Sequence, residues 1–355
     1  MTTHVGRNVT AGALLALFTA AAPMSAGAAP AFTITKLVSN QAGVAQNTDP
    51  DLVNAWGIAH GPNGPLWVAA NGAGLSTIYN PNTGEKLSLT VTIPGGDPTG
   101  IAFVPQHSDD NDDFIIHKNG VSGKSIFIFV TESGLIDGWN NSVDLNNAVV
   151  AVNMKKQGAV FKGLAVTAPA SRLYAADFAN NLVRVFDDHF HPIGTFTDAG
   201  LPKRFAPFNV KTFDGLVYVN FAKREKNGDD EVDGAGLGYV DVFKANGQLV
   251  KRLVSNGPLN APWGLTIAPP GFGGLDGALL VGNFGDGKIN AFDRNTGDFM
   301  GTLQGTDGQD LVIDGLWGIQ GRFGGVVEFA AGPDDEANGL LGQITAATPA
   351  HKSQR

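Results

Sequence analysis

Cysteine is absent from the 355-residue chain. That excludes disulfides, thiol catalysis and thiolate metal sites. Charge is sparse, at 16% of residues, and basic residues are the minority: 24 Lys and Arg against 33 Asp and Glu, a formal net charge of −9. Basic clusters are as short as Lys203-Arg204 and Lys223-Arg224. Such a chain does not favour nucleic acid or an anionic membrane. No Gly-x-Ser-x-Gly elbow occurs, so a common serine hydrolase has no support. Gly123-Lys124-Ser125 looks like the end of a phosphate loop, but Lys118 stands where that motif needs Gly.

Long apolar runs are missing too, apart from one near the start. A mostly apolar stretch from Ala11 to Ala22 follows His4 and Arg7, and small residues then lead to Ala26-Gly27-Ala28. This order reads as the n-region, h-region and cleavage site of an export leader over residues 1–29. A membrane span needs about 20 apolar residues and finds none here. Arg7 is the only formal charge in the leader, so the mature chain goes from −9 to −10.

What is plentiful is glycine, with 48 residues, alongside 19 prolines. Tight turns account for both. Six short steps recur: Trp56-Gly57-Ile58, Thr99-Gly100-Ile101, Lys162-Gly163-Leu164, Phe208-Asn209-Val210, Trp263-Gly264-Leu265 and Trp317-Gly318-Ile319. Their central residues are separated by 43, 63, 46, 55 and 54 positions. Each step opens a segment of short apolar runs ended by Asn or Asp, such as Leu66–Asn71, Leu173–Asp177 and Leu279–Asn283. A repeat of this length built from short strands predicts an all-β, six-bladed β-propeller over residues 30–346. The last repeat is one strand short. Lys36-Leu37-Val38-Ser39-Asn40 nearly copies Arg252-Leu253-Val254-Ser255-Asn256, the outer strand of blade four. Residues 32–40 are therefore expected to supply the outer strand of the last blade and hide its open edge. Residues 347–355 read as a disordered tail. Insertions are expected at Gln106–Asp113 in blade two and Lys223–Gly238 in blade four.

Several phrases carry a family resemblance: Ala206-Pro207-Phe208-Asn209-Val210, Asn260-Ala261-Pro262-Trp263-Gly264-Leu265, the run from Val281 to Asp293, Ile313-Asp314-Gly315-Leu316-Trp317-Gly318, and the run from Ala331 to Leu340. From about Leu37 to Ile344 the chain resembles a bacterial family of exported proteins, some of which carry a Pro-Glu-Pro sorting anchor. More distantly it is similar to NHL-repeat and gluconolactonase-like propellers. The resemblance implies export and a propeller, and no particular activity. The tail Thr348–Arg355 has no apolar helix, so a protein without a stable membrane anchor is expected, in the periplasm or outside the cell.

Candidate chemistry lies where blades converge. Asn71, Asp177, Asn220 and Asn283 occupy equivalent strand-terminal positions, with Asn119 expected to join them from blade two. Such an oxygen ring suits Ca²⁺; equally, the side chains cap strands and loops. The resemblance to gluconolactonase-like propellers points the same way, although they also use a Glu that has no counterpart at a blade start here. Trp56, Trp263 and Trp317 share one repeat position and either pack between blades or line a ligand-binding mouth. His60 and His117 follow blade strands and are weak candidates for a general base. The acidic loop Asp229–Gly234 resembles the start of a calcium loop but is no EF-hand, since Val240 stands at loop position twelve; it reads as a solvated loop or an irregular Ca²⁺ site, as do Asp109–Asp113 and Asp334–Glu336. His189 and His191, beside Asp187 and Asp188, read as an exposed turn. Two functions remain open. One is an exported binding module that presents its central mouth to a small molecule or an exported protein. The other is a Ca²⁺-dependent, lactonase-like hydrolase or lyase.

Overall fold

The computed structural model describes residues 1–2, 30–105, 113–168, 171–226 and 228–347. Most of the expected leader, most of the blade-two insertion and nearly all of the expected tail lie outside the described residues.

Six sheets of at least four strands form the blades, antiparallel except where two short strands pair in parallel with Ala31–Ser39 in the last blade. The innermost strands, in chain order, are Ala55–Ala59, Pro98–Phe103, Phe161–Val166, Phe205–Phe213, Pro262–Ile267 and Leu316–Arg322. Each packs on the next, and the sixth packs on the first, so the ring closes. Buried clusters lie between successive blades. Each blade buries apolar side chains on both faces, which is why its inner strands are nearly continuous apolar runs.

The repeated glycine has a steric cause. A Cβ on Gly57 would sit 2.6 Å from Thr99 O of blade two, and one on Gly264 would sit 2.9 Å from Trp317 O of blade six. Gly100 and Gly163 meet blades three and four in the same way. Inner strands crowd together at the axis, and only a missing side chain lets them approach. Blade four carries Asn209 there instead. Its Nδ2 donates to Trp263 O at 2.8 Å and bridges to blade five.

The last blade is closed by the chain start. Ala31–Ser39 pairs antiparallel with Leu340–Ala346, with Ile34 opposite Ile344 and a register shift after Lys36. Phe32, Leu37 and Val38 are buried by this pairing. Asn40 Oδ1 also accepts from Gly339 N. The expected closing strand is present, one residue earlier at each end. Blade two differs from expectation by an extra hairpin, Ile115–Lys118 with Val121–Lys124, outside the four-stranded sheet. Among the described residues no helix is long and apolar enough to cross a membrane.

Candidate functional site at the axial mouth

The residues at the position before the repeat glycine, or before Asn209 in blade four, meet at the axis in five blades: Trp56, Lys162, Phe208, Trp263 and Trp317. In blade two Thr99 instead donates its hydroxyl to Val130 O and Phe161 O, at 3.2 and 2.8 Å. The three indoles meet. Trp56 stacks on Trp317 with ring centroids 3.4 Å apart, and Trp263 packs edge-on against both at 5.9 and 5.8 Å. Phe284 covers the other face of Trp317 at 4.0 Å. All three Trp are buried, at 2% exposure or less. Their faces are spent on one another, because adjacent repeat positions converge on a narrow axis. They therefore form a closed floor to the mouth and not the open lining that a sugar or apolar ligand would touch.

Lys162 takes the place of an aromatic in this layer. Its side chain is 2% exposed, and its ammonium lies 5.2 Å from the Trp56 ring centroid. A buried ammonium without partners is costly. Lys162 Nζ donates to Glu132 Oε1 at 2.5 Å and lies 3.7 Å from Asp230 Oδ1. Burial alone would lower its pKa, but Glu132, Glu231 and Asp230 outweigh that and raise it. The ammonium therefore stays charged.

The rim above Lys162 is acidic and hydrogen-bonded around several blades. Glu132 Oε2 accepts from Asn71 Nδ2 at 3.1 Å. Asn71 Oδ1 accepts from Asn54 Nδ2 at 3.2 Å, and the same amide donates to Glu336 Oε2 at 2.6 Å. Trp317 Nε1 donates to Asn54 Oδ1 at 3.2 Å, tying rim to floor. Burial, with Glu336 and Asp230 adding to it and Lys162 opposing, raises Glu231 to about 7. Burial raises Glu336 as well, with Glu132 and Asp230 adding to it against Asn54 and Lys162. Four carboxylates thus face one ammonium. The mouth keeps excess negative charge, and a cation there would relieve it.

Glu336 is delivered by an unusual loop. Asp334, Asp335 and Glu336 have φ of 58°, 52° and 65°, a left-handed turn of three non-glycine residues. L-residues adopt this region at a cost. Glu336 N donates to Gly332 O, and Asn338 N to Pro333 O, closing the turn. Strain of this kind persists only where the surroundings enforce it. Here it brings a carboxylate from blade six to the axis.

Of the expected ring of strand-terminal residues, Asn71 joins the hydrogen bonds of the rim. Asp177 holds Arg184 Nε at 2.7 Å and Asn180 Nδ2 at 2.9 Å within its own blade. Asn220 Nδ2 donates to Trp263 O at 3.1 Å, and Asn283 Nδ2 to Pro258 O at 2.8 Å. Asp177 is thus committed within its own blade, whereas the Asn220 and Asn283 amides donate to backbone and their Oδ1 atoms are buried with no hydrogen-bond partner among the described residues. Asn119 is corrected outright: it sits in the turn of the extra hairpin with φ of 51°. The blade-two residue after the second strand, Phe127–Thr131, is Glu132. The hairpin strand ahead of Asn119 has the look of a blade strand, which displaced the alignment.

His60 and His117 lie apart from each other and from this mouth. His60 follows the other end of the first inner strand. Burial lowers its pKa, with Arg322 adding to it and the Gly61 carbonyl opposing. Its Nε2 is 3.8 Å from Glu328 Oε2, a buried carboxylate raised to about 7 by desolvation against Arg322. His117 is exposed on the extra hairpin.

Glu132, Lys162 and Asn54 were missed in the sequence, and Glu336 figures there only as part of the acidic run from Asp334. Lys162 had a visible signal, a lysine at the repeat position that elsewhere holds Trp, Phe or Thr. Glu336 had none beyond its acidic run, because only the left-handed turn aims it.

No family model matches the chain. The uncharacterized protein R648 of Acanthamoeba polyphaga mimivirus is 34% identical over 327 residues, 88% of this chain and 79% of that protein. The uncharacterized protein L690 of the same virus is also 34% identical over 327 residues, 88% of this chain and 85% of that protein. Among solved structures, a virginiamycin B lyase from Staphylococcus aureus is similar with a TM-score of 0.52 and 15% identity, over 89% of this chain and 100% of that one. A streptogramin B lyase gives a TM-score of 0.54 at 13% identity, over 89% and 98%. At such identity the likeness shows the propeller fold alone.

Proposed function

This chain belongs to the family of the mimivirus proteins R648 and L690, and we propose that it is an exported β-propeller binding module whose axial mouth takes a cation. The ligand is a cationic small molecule or a basic group of another exported protein. One observation supports this reading above the rest. Carboxylates from blades two, four and six gather around Lys162, and one is brought there by a strained turn. The order of charge is favourable for recognition. Lys162 and the indoles fix the floor, Asn54 and Asn71 lock the rim, and the remaining negative charge faces outward through Asp230, whose side chain is 77% exposed. Electrostatic focusing in such a mouth raises local cation concentration.

The Ca²⁺-dependent lactonase or lyase reading has less support, since Asp177 is held by Arg184 and Asn180 within its own blade and Asn119 lies in the turn of the extra hairpin. The reading is tested by thermal unfolding in the presence of Ca²⁺, Mg²⁺, spermidine and arginine methyl ester. A bound cation stabilises the folded state with the logarithm of one plus its concentration over its Kd, and so raises the melting temperature. Stabilisation by at least one of these, lost in Glu336→Gln, supports the mouth. No stabilisation by any of them contradicts it.

A further inference from the structure

A second site of different chemistry lies at an exposed turn of blade three and the extra hairpin of blade two. The extra hairpin of blade two and the turn after Leu182–Asp187 of blade three enclose a cleft of about 340 Å³ lined by Ile115, His117, His189 and His191. Three of the chain's 7 histidines thus face one cavity.

Each imidazole has an oxygen at its Nδ1. His189 Nδ1 is 2.6 Å from Asp188 Oδ1. His191 Nδ1 is 3.4 Å from Asp187 Oδ2. His117 Nδ1 is 2.6 Å from Ser122 Oγ. An oxygen that accepts the Nδ1 proton leaves the lone pair on Nε2. This is the arrangement in which outer partners orient histidines toward a metal. Ligand atoms of Asp187, Asp188 and His189 lie within 4.8 Å of one another, and His117 and His191 stand outside that group.

The scaffold beneath the cleft is strained and anchored. Phe114 and Phe190 both have positive φ, 51° and 61°. A bulky residue in that region is a genuine outlier. The two rings are buried and meet edge to face at 5.1 Å. Phe114 N donates to Asp188 O at 2.5 Å, which joins the hairpin root to the turn. Asp187 Oδ1 accepts from both His189 N and His191 N, at 3.0 and 2.8 Å. Two unfavourable backbones are thus held in place where the histidines are brought together, and strain of this sort gathers at functional sites.

The geometry points to a divalent transition-metal site in this cleft, of the zinc or copper kind, with His117, His189 and His191 as the nitrogen ligands. Imidazole suits Zn²⁺ and Cu²⁺ and does not suit Ca²⁺ or Mg²⁺. The rings of His189 and His191 lie parallel with centroids 6.1 Å apart. Zinc–nitrogen bonds of about 2.0–2.1 Å require the two side chains to swing together. Both are exposed, at 59% and 75%, which leaves room for that rotation.

The test is a titration of zinc chloride into the full chain, stripped of metal beforehand and followed by native mass spectrometry and calorimetry. One saturable Zn²⁺ per chain is expected. His117→Ala and His191→Ala should each weaken it by at least the roughly 10–100-fold typical for loss of outer-shell partners. His60→Ala and Glu336→Gln should leave it unchanged. The exposed His117 and His191 substitutions spare the buried core, and circular dichroism verifies the fold of every variant. Absence of saturable zinc binding overturns the proposal. So does a His117→Ala variant that binds like the parent, since the turn alone would then hold the ion. Loss of zinc in Glu336→Gln alone would move the ion to the axial mouth and overturn it equally.

Discussion

Asn209 Nδ2 donates to Trp263 O at 2.8 Å, across the boundary between blades four and five. It stands where the other five blades have a glycine that lets the next inner strand approach. One position thus closes the ring in two ways, by absence of a side chain or by a hydrogen bond. Gly57→Val should force apart strands whose Cβ clearance is 2.6 Å. Overpacking of this kind costs about 1–3 kcal/mol or more. Urea unfolding should show it as a lower midpoint with an unchanged slope.

Lys162 should be essential to the floor. Removing one partner of a buried ion pair costs about 3–5 kcal/mol. Lys162→Met should fall toward the lower part of that range, because Glu132 stays 29% exposed. A second effect is specific. Lys162 opposes the upward shift of Glu231, so its loss should raise Glu231 further. A carboxyl titration followed by NMR measures this directly.

The pH dependence of stability has a defined sign. Asp137 and Asp241 are raised to about 8, and Glu231 and Glu328 to about 7, each chiefly by burial. Their folded pKa values lie above the unfolded ones, so the folded state holds more protons. The contribution of these four groups is full below the ordinary carboxyl range and falls as pH rises toward about 8, while Asp198 and Asp310, lowered in the folded state, contribute with the opposite sign at acid pH. Asp137 is buried with no hydrogen-bond partner for either carboxylate oxygen among the described residues. Asp137→Asn should therefore raise the melting temperature above pH 8 and flatten the slope below it. An unchanged slope would remove Asp137 from the account.

The left-handed turn should be sensitive to shape more than to charge. Asp335 is exposed with φ of 52°. Asp335→Val should cost about 1–2 kcal/mol, the usual penalty for this region. It should also weaken cation binding, by displacing Glu336.

The propeller was legible because its steric needs leave marks at fixed spacing. Gly57, Gly100, Gly163, Gly264 and Gly318 are forced by the crowded axis, and forced residues repeat. The closing strand was legible because Leu37 and Val38 fill the same outer-strand role as Leu253 and Val254. The axial mouth was mostly hidden. Its residues come from loops of unequal length, and their convergence depends on turns that leave no periodic trace. Glu132 was masked by a hairpin whose strands resemble a blade. Glu336 depends on backbone angles that an acidic run does not announce. The three Trp were visible as a set, yet only the geometry of the axis makes them a floor instead of a lining.

The most direct test of the central claim is a calorimetric titration of the stabilising cation into the parent chain and Glu336→Gln, in two buffers of different ionisation enthalpy. The account predicts one saturable site near neutral pH, weakened in the variant. It also predicts proton release, seen as a buffer-dependent heat, because Glu231 titrates at about 7 beside the mouth. A binding curve identical in both proteins, with no buffer dependence, would contradict it.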